Sequence, residues 1–305
     1  MAMNIDEALA CGRRSLRTLP NMCLLGPTGA RLWADVLHVA PGFSGVIDFI
    51  HKLNLPLIFT VQAGDDLLFE PCDIRWYPSH LCLRYEGNGL RFEEQKFISW
   101  DDCAVSCQSW TNLGRGTVVL RLETDPRLFQ HEQDVMFGFF RSGTLEARPY
   151  GFRMVSVMTA SDLRLFEGLE LRPGERADVV IAASLGVDGM DEVSELCARA
   201  KRYTSRASGE ILASQKREYE SWFDGAPAFH CSEPLLDKTW LYRWFLLRHN
   251  LAHPRFGYLR FPCFYEGRSH KMGKTPFDPK GWEFSKMIPL TSPMHILEAR
   301  WHRDA

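Results

Sequence analysis

Between Phe264 and Lys286 the chain interleaves aromatic rings with charged and hydrogen-bonding side chains: Phe264, Tyr265, Glu266, Arg268, His270, Lys271, Trp282, Glu283 and Lys286. A pyranose has apolar ring faces that stack on aromatics and hydroxyls that take charged partners, so this mixture suits a sugar. Tyr265, Arg268, Trp282 and Lys286 are expected to touch such a ligand, joined by His295 near the start of the next helix. The same residue types also fit aromatics packed between helices with their charges solvated, and His295 fits a core histidine equally well. Cleaving a glycosidic bond needs two carboxyl groups, one to protonate the leaving oxygen and one to activate water or attack. The acids in this region are Asp237, Glu266, Asp278, Glu283 and Glu298. Glu266 (in Tyr-Glu-Gly-Arg) and Glu283 (in Trp-Glu-Phe) are the candidates, and a solvated or ion-paired acid is the alternative for each.

Other chemistries find little support. Gly114-Arg115-Gly116 lacks the Gly-Lys-Ser/Thr ending of a phosphate loop, and no Gly-x-Ser-x-Gly or His-Glu-x-x-His occurs. A net charge of −2 provides no basic field for nucleic acid or an anionic membrane. No apolar run approaches the roughly 20 residues that span a bilayer, and the N-terminus has no secretory h-region. The nine cysteines are odd in number and scattered, which fits reduced thiols in a cytoplasmic protein better than a disulfide framework. Cys103 and Cys107 share one strand face and read as small buried hydrophobes rather than a zinc site. Neither a metal nor a cofactor is expected.

Several elements must position these residues. Residues 1–20 read as a loosely attached leader. Residues 21–188 alternate at strand period, with a hairpin at Leu81–Phe92 around Gly87-Asn88-Gly89, strands at Thr117–Glu123, Arg153–Ala160 and Ala177–Leu185, and a Pro-Gly turn at Pro173-Gly174. Asp125–Tyr150 reads as a long loop. Short strands and turns without intervening helices predict an antiparallel β-sandwich. The period changes near Gly189. Residues 189–225 read as a helical linker, with helices at Asp191–Tyr203 and at Ser208–Phe223, the latter capped by Ser208. From residue 226 the chain reads as helix, long aromatic loop and helix. The first helix is capped by Ser232, carries Pro234 in its first turn, and buries a stripe of Leu236, Trp240, Trp244 and Leu247. The loop covers Arg255–Leu290, and the second helix starts at Pro293 behind Thr291 or Ser292.

Three stretches carry a family resemblance: Phe92–Asp102, Ser232–Trp240 and Thr291–Leu297 (Thr-Ser-Pro-Met-His-Ile-Leu). They resemble the six-hairpin glycosidases, closest to the trehalase, processing α-glucosidase and mannosylglycerate hydrolase-like enzymes. The resemblance implies that residues 226–305 open an (α/α)6 catalytic barrel behind the sandwich and linker. It implies a glycoside hydrolase of inverting type, acting on an oligosaccharide or small glycoside. It also implies that the acid and base come from later helices and are missing from this piece. Where the family pattern has Trp-Asp, this chain has Leu290-Thr291, and that Asp is implied to contact sugar near the cleaved bond. The departure puts substrate choice and activity in question. A phosphorylase or lyase on the same architecture, and a non-catalytic carbohydrate-binding or assembly module, are the alternatives.

The helix from Pro293 reads as still running at Trp301 with no Gly or Asn cap, so the chain is expected to be the N-terminal part of a larger protein. The 305-residue piece alone is then expected to turn over no glycoside and to aggregate through uncovered apolar faces. Chromogenic glycosides test this directly, and robust turnover by the piece alone would contradict the expected architecture.

Overall fold

The computed structural model describes residues 4–12, 22–23, 26–50, 53–64, 71–135, 138–147, 151–257, 259–266 and 291–303. The chain divides into two units. One comprises Gly12–Trp76 with His80–Leu212, and the other comprises Met1–Cys11, Tyr77–Ser79 and Ala213–Ala305.

The first unit is built of two antiparallel sheets. The larger runs, in hydrogen-bonded order, Pro71–Trp76, Leu81–Gly87, Leu90–Ile98, Cys103–Asn112, Arg176–Val187, Phe152–Ala160, Gly138–Ala147 and His131–Val135. The smaller runs Leu169–Leu171, Val118–Thr124, Leu57–Ala63, Phe43–Phe49, Leu32–His38 and Met22–Cys23. The hairpin between Leu81–Gly87 and Leu90–Ile98 turns on Asn88 (φ 52°) and Gly89 (φ 73°), the two positive angles that a two-residue loop demands. The sheets face each other through rings such as Phe49 and Phe152, whose centroids lie 6.2 Å apart.

That interface also holds charge. Lys96 and Glu94 alternate with Phe92 on the inward face of one strand, and both are buried. Lys96 Nζ donates to the carbonyls of Ala40 and Gly42, each at 2.6 Å, and lies 3.1 Å from Glu94. Glu94 Oε1 accepts from Gly42 N at 2.8 Å and from Ser106 Oγ at 2.5 Å. The opposite face of the larger sheet is covered by helix α2 (Val193–Thr204). Its Leu196, Cys197, Ala200 and Tyr203 pack on Phe97, Cys103, Val105, Cys107 and Ala182. Cys103 and Cys107 do share a buried face, and burial pushes both thiols up.

Arg31 ties three chain segments of this unit together. Its Nε donates to Asp102 Oδ2 at 2.7 Å and its Nη1 to Asp191 Oδ2 at 2.7 Å. Asp102 Oδ1 also accepts from the backbone of Arg31 (2.6 Å) and Leu32 (2.9 Å), and Asp191 Oδ2 accepts from Val187 N (2.8 Å). All three side chains are buried. Burial alone would push the guanidinium pKa down, and the two carboxylates more than reverse it.

The second unit contains helix α1 (Ile5–Leu9), most of α3 (Ser208–Gly225), α4 (Pro234–Asn250) and α5 (Thr291–Ala299). Trp244, Leu247, Phe264 and Ala299 form its core, with Trp222, Phe223 and Trp240 against it. His302 stacks on Trp222 at 4.2 Å and takes its place beside Gly225, where a Cβ would lie 2.3 Å from the imidazole.

Several expectations are corrected. Within the supposed leader, α1 packs on α4, its Ile5 and Leu9 buried, while Asp6 accepts from Ser79 N (3.1 Å) and Oγ (2.5 Å). Apolar residues at i and i+4 give even this short helix a face to bury. The supposed loop at Asp125–Tyr150 contains the paired strands His131–Val135 and Gly138–Ala147. Gly143 had masked the pattern, and it is needed because a Cβ there would meet Leu128 O at 2.2 Å. Ser208 is the first residue of α3 rather than its cap. Glu233, not Ser232, caps α4, accepting from Leu235 N at 3.2 Å. In the α4 stripe Trp244 and Leu247 are buried, whereas Leu236 is exposed. Helix α5 ends at Ala299 and closes in a turn through His302, so it does not run on to Trp301.

Replacing Arg31 with Met would leave two buried carboxylates without their cation, a change that typically costs about 3–5 kcal/mol. Urea unfolding of R31M should show a loss of that order. A loss below about 1 kcal/mol would mean that the node contributes little to stability.

Candidate functional site

The site assembles where α4 stops. Leu251 breaks the helix with extended backbone, and Leu251–Ala252 pairs with Cys263–Phe264 as a short antiparallel ribbon. This return places Tyr265 N on the carbonyl of Asn250 at 3.0 Å, and brings Glu266 back to the C-terminal end of α4. The first turn of α5 then closes on the ribbon. Thr291 Oγ1 donates to Glu266 Oε1 at 2.5 Å, and Ser292 Oγ donates to the Phe264 carbonyl at 2.8 Å. Thr291 and His295 stand four apart on α5 and so share a helix face. The His295 ring meets the edge of Phe264 at 5.9 Å.

His295 is only 6% exposed. Burial holds its pKa below the ordinary imidazole value, Arg243 adds to that, and Glu298, a backbone hydrogen bond with Tyr265 and Glu266 oppose it in part. Arg243 is itself paired with Glu298. Burial thus favours the neutral form of the ring. Its Nδ1 is buried without a hydrogen-bond partner, and so is Glu266 Oε2. An unsatisfied buried polar atom costs about 1–3 kcal/mol, so two of them around one ribbon and helix start need a reason.

Of the residues singled out in the sequence, Tyr265, Glu266 and His295 come together here. Tyr265 is buried, so its ring lines the interior of this cluster rather than an open surface. Arg268, Trp282, Glu283 and Lys286 lie outside the described residues. Thr291, standing where the resemblance implies an Asp, donates to Glu266, so the carboxylate at this spot comes from the ribbon. Sequence reasoning missed Asn250, Ser292 and the Arg243–Glu298 pair. The only signal for them was position: Asn250 at a helix end, Ser292 at a helix start, and Glu298 one turn after His295.

A concavity of about 320 Å³ lies on the outer face of the larger sheet, lined by Gln95, Ser109, Arg84, Glu93, Arg176 and Asp178 among others. Its charges are already paired, Arg84 with Glu93 at 3.6 Å and Arg176 with Asp178 at 2.8 Å, and no aromatic ring lines it. Among the described residues, no group of three His, Cys, Asp or Glu side chains is placed to hold a metal. No described helix is long and apolar enough to cross a membrane.

No family model and no curated protein matches this chain. Among solved structures it is similar to a "Putative kojibiose phosphorylase from human microbiome", with a TM-score of 0.49 and 9% identity over 80% of this chain. It is also similar to a polysaccharide lyase, with a TM-score of 0.29 and 16% identity over 46% of this chain. The chain spans 35% of the length of the first and 27% of the second. At these values neither likeness bears on activity.

The depressed pKa of His295 has a sign that can be checked. The unfolded chain takes up this proton below about pH 6.5, whereas the folded chain resists it, so the contribution to stability is intact above that value and declines as pH falls. Urea midpoints should therefore fall between about pH 6.5 and 5 less steeply in His295→Asn than in the parent. Parallel profiles would place the titrating group elsewhere.

Proposed function

We propose that this chain supplies part of the substrate-binding wall of a carbohydrate-active enzyme that cleaves a glycosidic bond by hydrolysis with inversion. The domain reading goes with it: a β-sandwich over residues 21–188, a helical linker over 189–225 and the opening of an (α/α)6 barrel from 226. The observation that carries the proposal is the cluster of Glu266, Thr291 and His295, in which a carboxylate and a neutral imidazole present unused hydrogen-bonding atoms beside aromatic rings. Sugars are recognised by this combination of polar anchors and ring contacts.

Glu266 is assigned to holding a sugar hydroxyl, because Thr291 already engages one of its oxygens and leaves the other to accept. His295 and Tyr265 shape the wall, and Arg268, Trp282 and Lys286 are assigned to the same ligand. The acid that protonates the leaving oxygen and the base that activates water are assigned to the whole protein, outside this cluster.

Titration of the chain with neutral mono- and disaccharides, followed by tryptophan fluorescence and calorimetry, tests the assignment. Saturable binding is expected, weakened about 10- to 100-fold in Glu266→Gln, as the loss of a hydrogen bond to a charged group implies. Absence of saturable binding to every sugar, or equal binding by E266Q, would overturn it.

A further inference from the structure

The ribbon that brings Glu266 back to α4 also carries the loop of residues 253–262, and the charge on this loop is one-sided. Over residues 251–265 the only charged side chains are Arg255 and Arg260, with no Asp, Glu or Lys. The loop is held in shape by its own contacts. Phe256 and Leu259 form a bridge, Leu259 N donates to the Phe256 carbonyl at 3.1 Å, and His253 Nε2 lies 3.2 Å from the Arg260 carbonyl. Arg255 directly precedes that bridge and Arg260 directly follows it, so their Cα atoms lie within about 13 Å of each other. Arg255 sits in the left-handed backbone region (φ 54°), where a residue other than glycine is uncommon. Both arginines are exposed, and among the described residues neither is ion-paired. Beside Arg260, Phe261 is 80% exposed, more than any other large hydrophobic side chain among the described residues.

We infer that the tip of this loop holds an acidic sugar unit: the Arg255 and Arg260 guanidiniums take its carboxylate, and the Phe261 ring covers an apolar face of its pyranose. The inference rests on the carbohydrate reading above and adds the class of sugar.

The arrangement fits that role in three ways. First, a closed loop holds two like charges on its two limbs, and no described acid relieves their repulsion, so an anion between them is stabilised by both. Second, both cations are arginines. A guanidinium presents a planar fork of N–H donors that matches the two oxygens of a carboxylate, and it gives up water more readily than an ammonium. Third, the Phe261 ring stands in water next to these donors, and a pyranose face covers it whereas a bare inorganic anion does not. The tip also lies on the path of the site already described. Glu266 is five residues beyond Phe261, and a fully extended chain covers at most about 18 Å in that length, so one oligosaccharide can reach both.

The test is calorimetry of the 305-residue chain with galacturonate and glucuronate trimers, each beside its methyl ester. For the tighter of the two acids, the ester is expected to bind about tenfold or more weakly. The gap should shrink as salt is added, because exposed charges are screened. Arg255→Gln and Arg260→Gln should each narrow the gap, and the double variant should abolish it. Phe261→Ala should weaken acid and ester alike, and Glu266→Gln should weaken both while leaving the gap intact. All three tip side chains are exposed, so the tip variants should keep the circular dichroism and urea midpoint of the parent. If acid and ester bind equally, or the gap survives in the double variant, the tip inference is wrong and the carbohydrate reading stands. If acetate displaces the trimer at equal concentration, the tip takes a bare anion and the sugar assignment there is wrong. If neither acid nor ester binds, both readings fall.

Discussion

The guanidinium of Arg31, closed in by Asp102 and Asp191, sets the constraint on which the β-rich unit depends. The three residues come from the entry to the first long strand of the smaller sheet, the turn between Leu90–Ile98 and Cys103–Asn112 of the larger, and the exit from Arg176–Val187. A charge buried to this degree is tolerated only where its partners are fixed, so these segments must arrive in register together. The local geometry follows from that demand. Asp102 accepts a left-handed backbone (φ 64°) to present its carboxylate, and Gly186 has no side chain because a Cβ would lie 2.7 Å from that of Asp191. The Glu94–Lys96 pair repeats the device deeper between the sheets, where the lysine holds the Ala40–Gly42 turn of the smaller sheet. In both places charge specifies a unique arrangement that apolar packing alone would leave less defined.

The second unit uses its polar groups differently. In the first unit each carboxylate of the Arg31 node is met by guanidinium and backbone N–H groups. Around Glu266 and His295 two buried polar atoms, Glu266 Oε2 and His295 Nδ1, are left without a hydrogen-bond partner. A folded chain has little reason to keep such atoms for stability, since each one costs free energy, and sites that bind are where that cost recurs. The functional reading goes to the ribbon and the start of α5 because the unsatisfied atoms there lie beside aromatic rings, which the charged concavity on the larger sheet lacks.

Much of the fold was legible because it rests on local signals. The Asn88-Gly89 hairpin, the strands flanking Pro173-Gly174 and the change to helical period after Gly189 all follow from short-range pattern and turn chemistry. Where local pattern was interrupted for a tertiary reason, it misled. Gly143 hid a strand, and the capping role of Ser232 went to the neighbouring Glu233. The Arg31 node was not legible at all, since its members are 71 and 160 positions apart and each looks like an ordinary surface charge. At the site, the residue types were legible in Tyr265, Glu266 and His295. What each leaves unpaired was not, because it depends on Thr291 and on the ribbon that returns to Asn250.

The most direct measurement is a crystal structure of the chain with a neutral methyl glycoside bound. The account predicts a sugar hydroxyl within hydrogen-bond distance of Glu266 Oε2. A sugar seated elsewhere, with Glu266 Oε2 still without a ligand partner, would contradict it.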